Sequence, residues 1–245
     1  MLRARFGQTD VLASEAERGL NYSCPECGSA LVLRKGWVRA HHFAHKVAGV
    51  CELQGQTHEH LAIKAALGTL LSASTSNYEV RAGGVMTDLY FASSNVAVKI
   101  QTSAITYEDW HRTTATLCEA GCIVIWVWGR YAIGSATPGG DERRVPAAVL
   151  KCHHEYFGRV YAFIEGHLAA LHFDAAAPRE TDYGIYYPKR LRTLRSHEIT
   201  NSNLRLHVDH GGITASFRLL HLEDPWWKTK AAKGASRAPF DRPRF

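Results

Sequence analysis

The clearest hydrophobic signal is Ile123–Trp128 (IVIWVW), an unbroken apolar run of strand length that predicts a strand buried on both faces. Upstream, the period of the pattern changes several times. Leu61, Ala65, Leu67, Leu70 and Leu71 recur at helical spacing and predict a helix over 54–74. Asn77–Arg81, Thr87–Phe91 and Asn95–Gln101 read as strands, with Gly83-Gly84 and Ala92-Ser93-Ser94 as their turns. Ile105–Ala120 returns to helical spacing, opened by Thr106 as N-cap with Asp109 three residues on. The order is αβββαβ, a hairpin-rich sheet with one crossover. Its third strand ends in Lys99-Ile100-Gln101, polar at both ends, so chemistry is expected between Asp88 and Gln101.

The flanks are less regular. Leu2, Ala4 and Phe6 alternate with polar residues and suggest a short strand. Residues 134–146 carry Gly134, Pro138, Gly139 and Gly140 and read as a linker. Ala147–His154 has a helical pattern, and Arg159–Ile164 with Leu168–Phe173 reads as a hairpin turning at Glu165-Gly166. Beyond Ala175 the pattern weakens. The last stretch sets Lys228, Lys230, Lys233, Arg237, Arg242 and Arg244 against Asp241, which predicts a basic, flexible tail with Trp226-Trp227 as an anchor. The expected organisation is a module over 1–53, a core over 54–133, an α+β extension over 147–224 and the tail over 225–245.

Composition narrows the setting. At 245 residues, 46% hydrophobic and 21% charged, the chain can bury one core plus a small satellite. Its net charge of +6 leans toward polyanionic partners. No apolar run approaches the roughly 20 residues of a membrane helix, and the N-terminus has no apolar leader, so a cytoplasmic protein is expected.

The cysteines then need a use other than disulfides. Cys24 and Cys27, followed by Gly28, form a knuckle whose glycine permits the tight turn beneath two thiolates. A hairpin of Ala30–Leu33 and Trp37–Ala40, turning at Lys35-Gly36, brings the chain back to His41-His42-Phe43-Ala44-His45. Cys24, Cys27, His42 and His45 are the preferred ligands of a structural, four-coordinate zinc in a ribbon or treble-clef setting. His41 is an alternative to His42, and Cys51 to either histidine. A reduced CxxC among surface histidines is the competing reading. Cys118, Cys122 and Cys152 read as apolar filler or carry no signal.

In order, Cys24-Pro25-x-Cys27, His42-Phe43-Ala44-His45, His60-x-x-x-Lys64, Asp88, Gln101-x-Ser103, Arg112-Thr113 and Gly121 leading to Ile125-Trp126 resemble the competence-protein CoiA-like family. Tyr156–Tyr161 resembles that family's segment after the core, and the likeness spans roughly 20–175. It implies a zinc-finger-like N-terminus ahead of a restriction-endonuclease-like core of the PD-(D/E)XK type. That core would gather Mg²⁺ or Mn²⁺ on strand-end carboxylates and hydrolyse DNA phosphodiesters. On this resemblance Asp88, Lys99, Gln101 and Gln56 take the catalytic positions, while His60, Lys64, Ser103 and Arg112 face nucleic acid.

Two of those positions depart from the family's pattern. Lys99 stands where a glutamate is expected, and Gln56 where many relatives carry one. An ammonium about 4 Å from a dication opposes it by several kcal/mol. Three readings follow: a nuclease disabled at Lys99, a natural pseudo-nuclease that binds DNA or other DNA-processing proteins, or a site in which Lys99 is the motif lysine and Glu79 or Glu108 joins the metal. The partner implied is single- or double-stranded DNA, and no membrane.

Overall fold

The computed structural model describes residues 1–136, 142–155, 160–175, 179–186, 191–199, 206–210 and 218–222. The tail over 225–245 and residues 156–159 lie outside them, as do residues 137–141 of the glycine-rich stretch 134–146.

The first 45 residues form an antiparallel five-stranded sheet of β1 (Arg3–Phe6), β2 (Thr9–Leu12), β3 (Tyr22–Ser23), β4 (Ala30–Arg34) and β5 (His42–His45), ordered β2-β1-β3-β4-β5. Its small core is built on Ala4, Ala13, Ala16, Tyr22, Leu31, Phe43 and Leu53, with the Tyr22 and Phe43 rings 4.9 Å apart. Leu2 instead enters the main core, so the first residues join the two.

Helix α1 (His58–Leu70) starts four residues later than its apolar pattern suggests, because Thr57 caps it, its hydroxyl accepting from the His60 amide at 3.1 Å. The strand expected over Asn77–Arg81 does not form. A 3₁₀ turn (Thr75–Asn77) and a single bridge between Tyr78 and Leu89 replace it, and Glu79 sits at φ 54°, outside strand geometry. The chain then makes the small hairpin β6 (Arg81–Ala82) and β7 (Val85–Met86) before β8 (Leu89–Phe91) and β9 (Val96–Gln101). Asp88 therefore precedes its strand, yet its amide still donates to the Val98 carbonyl at 3.0 Å.

Helix α2 (Tyr107–Glu119) carries the expected Thr106 cap and leads into β10 (Ile123–Trp128), every residue of which is buried. The register β9–β10 is parallel from Val96–Ile123 to Gln101–Trp128, while β8 runs antiparallel to β9. The chain continues through β11 (Ser135–Ala136), β12 (Glu142–Arg144), α3 (Ala147–Glu155), β13 (Val160–Ile164) and β14 (His167–Ala175). After these come β15 (Arg179–Thr181), β16 (Gly184–Tyr186), β17 (Leu191–Ile199), β18 (Leu206–His210) and β19 (Arg218–Leu222). The result is a mixed α/β fold in which the sheet does not stop at β10. Along the edge of β10 opposite β9, Val127 and Trp128 pair with β13, and Val124 pairs with β19. Val149, Tyr161, Leu171 and Ile199 share one hydrophobic cluster with Leu61, Val98 and Trp126. No helix among the described residues is long and apolar enough to cross a membrane.

One close approach fixes α1 against the turn that follows it. A Cβ on Gly68 would lie 1.7 Å from the Tyr78 hydroxyl, so Tyr78 packs only against a bare backbone. Gly68→Ala is expected to destabilise the protein by roughly 1–3 kcal/mol in urea unfolding. An unchanged midpoint would mean that Tyr78 does not pack there.

Candidate functional site

The first constellation is a candidate metal centre. The Cys24–Cys27 knuckle turns through Gly28 at φ 72°, with the Gly28 amide donating to the Cys24 carbonyl at 2.9 Å. It meets His45 at the end of β5 and Cys51 beyond it, and the four ligand atoms lie within 4.8 Å of one another. Cys24 and Cys51 sulfurs are 3.9 Å apart, and Cys27 Sγ is 3.3 Å from His45 Nε2. A tetrahedral zinc with bonds of ~2.3 Å to sulfur needs sulfur pairs ~3.8 Å apart, so this Cys₃His set can hold zinc.

Their environments separate the thiols. Burial pushes Cys24 up to about 12, against the backbone amides of Cys27 and Glu26. The hydroxyl and amide of Ser29 pull exposed Cys27 down to about 6, assisted by His45.

His42, the preferred fourth ligand, is not in the cluster; the alternative Cys51 is. Residues three apart on a strand point to opposite faces, so β5 cannot aim both His42 and His45 at one ion. His42 Nδ1 instead donates to the Ala40 carbonyl at 2.9 Å.

The second constellation is a pocket of about 340 Å³ in the main fold, lined by Gln56, His60, Asp88 and Lys99 together with Glu52, Met86 and Thr113. Beneath it lies a buried ionic cluster. Lys64 is completely buried, its ammonium 2.9 Å from Glu79 Oε1, 3.0 Å from Gln56 Oε1 and 3.1 Å from Asp88 Oδ1. His60 Nε2 donates to Asp88 Oδ1 at 2.6 Å, and the Ile100 amide donates to Asp88 Oδ2 at 2.7 Å. Glu79 also accepts the amides of Leu2 and Arg3 at 2.9 and 3.1 Å, which ties the N-terminal sheet to this cluster.

Electrostatics follow from that packing. Burial alone would raise Asp88, but Lys64, His60 and Lys99 outweigh it and hold the carboxyl far below its ordinary range. Glu79 is likewise lowered, burial being outweighed chiefly by Lys64. Lys64 is raised, its burial outweighed by Glu79 and then Asp88.

Of the residues that the family resemblance assigns to catalysis or nucleic-acid binding, the structure brings Gln56, His60, Asp88 and Lys99 to one pocket. It does not bring the other candidates to the pocket. Lys64 has no surface to offer a phosphate. Gln101 turns away to donate to the carbonyl and hydroxyl of Ser103 at 3.0 and 3.1 Å. Arg112, exposed on α2, pairs with Asp109 of its own helix. Sequence reasoning gave Glu79 only a marginal place, and no periodic signal marks a glutamate held inward by a left-handed backbone.

A divalent cation does not fit the pocket as it stands. Both Asp88 oxygens are committed, Lys99 donates to the Met86 carbonyl at 2.8 Å beside it, and Glu52 pairs with Arg81 at 3.1 Å. Hard cations need several free oxygen ligands.

Residues 7–54 match the family model for the competence protein CoiA, N-terminal domain. The N-terminal segment is CoiA-like. The match covers the knuckle, the β4–β5 hairpin and all four cysteine and histidine donors of the metal centre. No curated protein and no solved structure matches the chain.

Proposed function

We propose that this chain is a nuclease-derived DNA-binding protein of the CoiA type. In this reading a zinc-held N-terminal module precedes a restriction-endonuclease-like core of the PD-(D/E)XK kind, and the former hydrolytic centre has become a pocket for phosphate. The observation that carries the reading is the pairing of Asp88 with Lys64 and His60 while Lys99 occupies the same pocket. Two parallel strands joined by α2, with β8 antiparallel beside them, support the core assignment. The DNA-processing role is what the resemblance to the competence-protein CoiA family implies, and the net charge of +6 is in keeping with it.

Hydrolysis with Glu79 or Glu108 as a recruited ligand is disfavoured. Glu79 lies behind Lys64 and is fully buried, and Glu108 sits exposed in the first turn of α2 without lining the pocket.

The test is a cleavage assay with Mg²⁺ and Mn²⁺ on single- and double-stranded DNA, alongside salt-dependent binding. The unmodified protein is expected to bind without cutting, with Lys99→Glu binding several-fold more weakly. Removing one cation that neutralises a phosphate should flatten the salt slope by roughly 0.7–0.9. Cleavage by the unmodified protein that vanishes in Asp88→Ala would overturn the proposal.

A further inference from the structure

The tip of the β4–β5 hairpin is not used by either constellation. Trp37 and Val38 are 106% and 89% exposed there, on a protein whose Trp110, Trp126 and Trp128 are all buried. Together Trp37 and Val38 make contiguous apolar surface beside an apolar groove, the kind of exposed patch that marks a binding site.

Trp37 stands on a ridge, Gly36–Arg39, shared by two grooves of about 530 and 440 Å³. The larger has an apolar floor of Leu2, Leu12, Ala65 and Tyr78. The smaller is cationic, with Arg18, Arg34 and Lys35 in its wall, and no acidic side chain lines either groove. Arg18 and Lys35 brace the loop, Arg18 donating to the Lys35 carbonyl and Lys35 to the Ser14 carbonyl at 2.9 Å. Arg34 and Arg39 are exposed, and their guanidinium groups make no hydrogen bond or ion pair with any described residue. At the other end of the hairpin, His45 belongs to the metal cluster, so a bound metal would hold the base rigid while the tip stays open.

We infer that this hairpin tip is a single-stranded DNA site in which Trp37 stacks on an unpaired base and Arg34 and Arg39 hold the flanking phosphates. The inference rests on the DNA partner proposed above and names where and in what form that DNA is held. Stacking decides between strand forms. Base faces are open only in single strands, and a duplex would engage the arginines through its backbone while leaving the indole unused. An acidic peptide satisfies the arginines in the same way and also leaves the indole without a flat partner.

The test measures fluorescence anisotropy of a labelled oligo-dT with the full zinc-loaded chain across a salt series. Trp37→Ala is expected to weaken oligo-dT binding by about tenfold or more while leaving the salt slope unchanged. Trp37→Phe should keep most of the affinity, and duplex of equal length should respond little to either. Arg34→Ala and Arg39→Ala should each flatten the slope by about 0.7. Unchanged oligo-dT binding in Trp37→Ala, with zinc content and circular dichroism intact, would overturn the inference. So would competition by poly-glutamate as effective as that of oligo-dT at equal charge.

The two readings separate cleanly. If the hairpin variants are silent and Lys99→Glu alone weakens DNA binding, the hairpin site is wrong and the core pocket stands. If the hairpin variants lose binding and Lys99→Glu does not, the reverse holds.

Discussion

Cys51→Ser is expected to strip zinc from the purified protein, whereas His42→Ala is expected to retain it. The unmodified chain should carry one zinc, read by atomic spectroscopy. Cys51 Sγ sits 3.9 Å from Cys24 Sγ within the four-ligand cluster, while His42 is turned to the Ala40 carbonyl. The consequence of losing the metal should be large. The small core beside it relies on Ala4, Ala13 and Ala16 as much as on Tyr22, Leu31 and Phe43, and so buries little apolar area. Zinc sites in comparable small modules supply apparent binding energies of about 10–16 kcal/mol, most of it folding energy. Chelation should therefore unfold residues of the five-stranded sheet first, visible as loss of amide protection there before the main core yields. Zinc lost in His42→Ala but kept in Cys51→Ser would reverse the ligand assignment.

That ligand exchange shows where the sequence was readable and where it was not. The CxxC knuckle, the first arm of the hairpin and the return to a histidine were legible, because ligand spacing and turn residues are local signals. The second arm, expected over Trp37–Ala40, forms instead as β5 over His42–His45, and 37–40 is its loop. The fourth ligand was not legible. Choosing between His42 and Cys51 depends on whether both histidines lie in one strand, and the sequence pattern put that strand at Trp37–Ala40, ahead of them, rather than over His42–His45. The main fold repeats the pattern. The run IVIWVW, the Thr106 cap and the strand ending at Gln101 were all expected, and they stand as β10, α2 and β9.

What the sequence concealed was the use of its charged residues. On a helical wheel Lys64 reads as a polar neighbour of His60, one turn apart, and a solvated face is the ordinary expectation. It is buried only because Glu79, from outside the helix, reaches the same point through a left-handed backbone at φ 54°. The pairing of β13 and β19 with β10 was equally hidden, since it brings together segments far apart in the chain.

Lys64→Met is expected to destabilise the protein by about 3–5 kcal/mol at neutral pH, the range for removing one partner from a buried ionic cluster. The substitution leaves Asp88 and Glu79 without the ammonium that holds both below their ordinary values. The sign of the pH dependence then differs between the two proteins. In the parent, both carboxyls are depressed, so their contribution is present above the ordinary values of 3.8 and 4.5 and lost only as pH falls through the folded ones. In Lys64→Met, burial is opposed by fewer positive charges, and the Glu79 carboxyl rises above its ordinary value. Its ionisation then costs stability as pH increases, so the variant should gain on the parent as pH is lowered from 7 toward 5. Urea unfolding at the two pH values measures this directly. Adding Glu79→Gln to Lys64→Met should recover part of the loss at pH 7, because the neutral amide carries no buried charge and its one oxygen can still accept from Leu2, although the Arg3 amide then loses the second carboxylate oxygen. A gap between parent and variant that is small, or equal at both pH values, would mean that Lys64 is not the counter-ion of this cluster. It would also remove one of the contacts that commit Asp88, leaving His60 and the Ile100 amide as the groups that keep a metal from it.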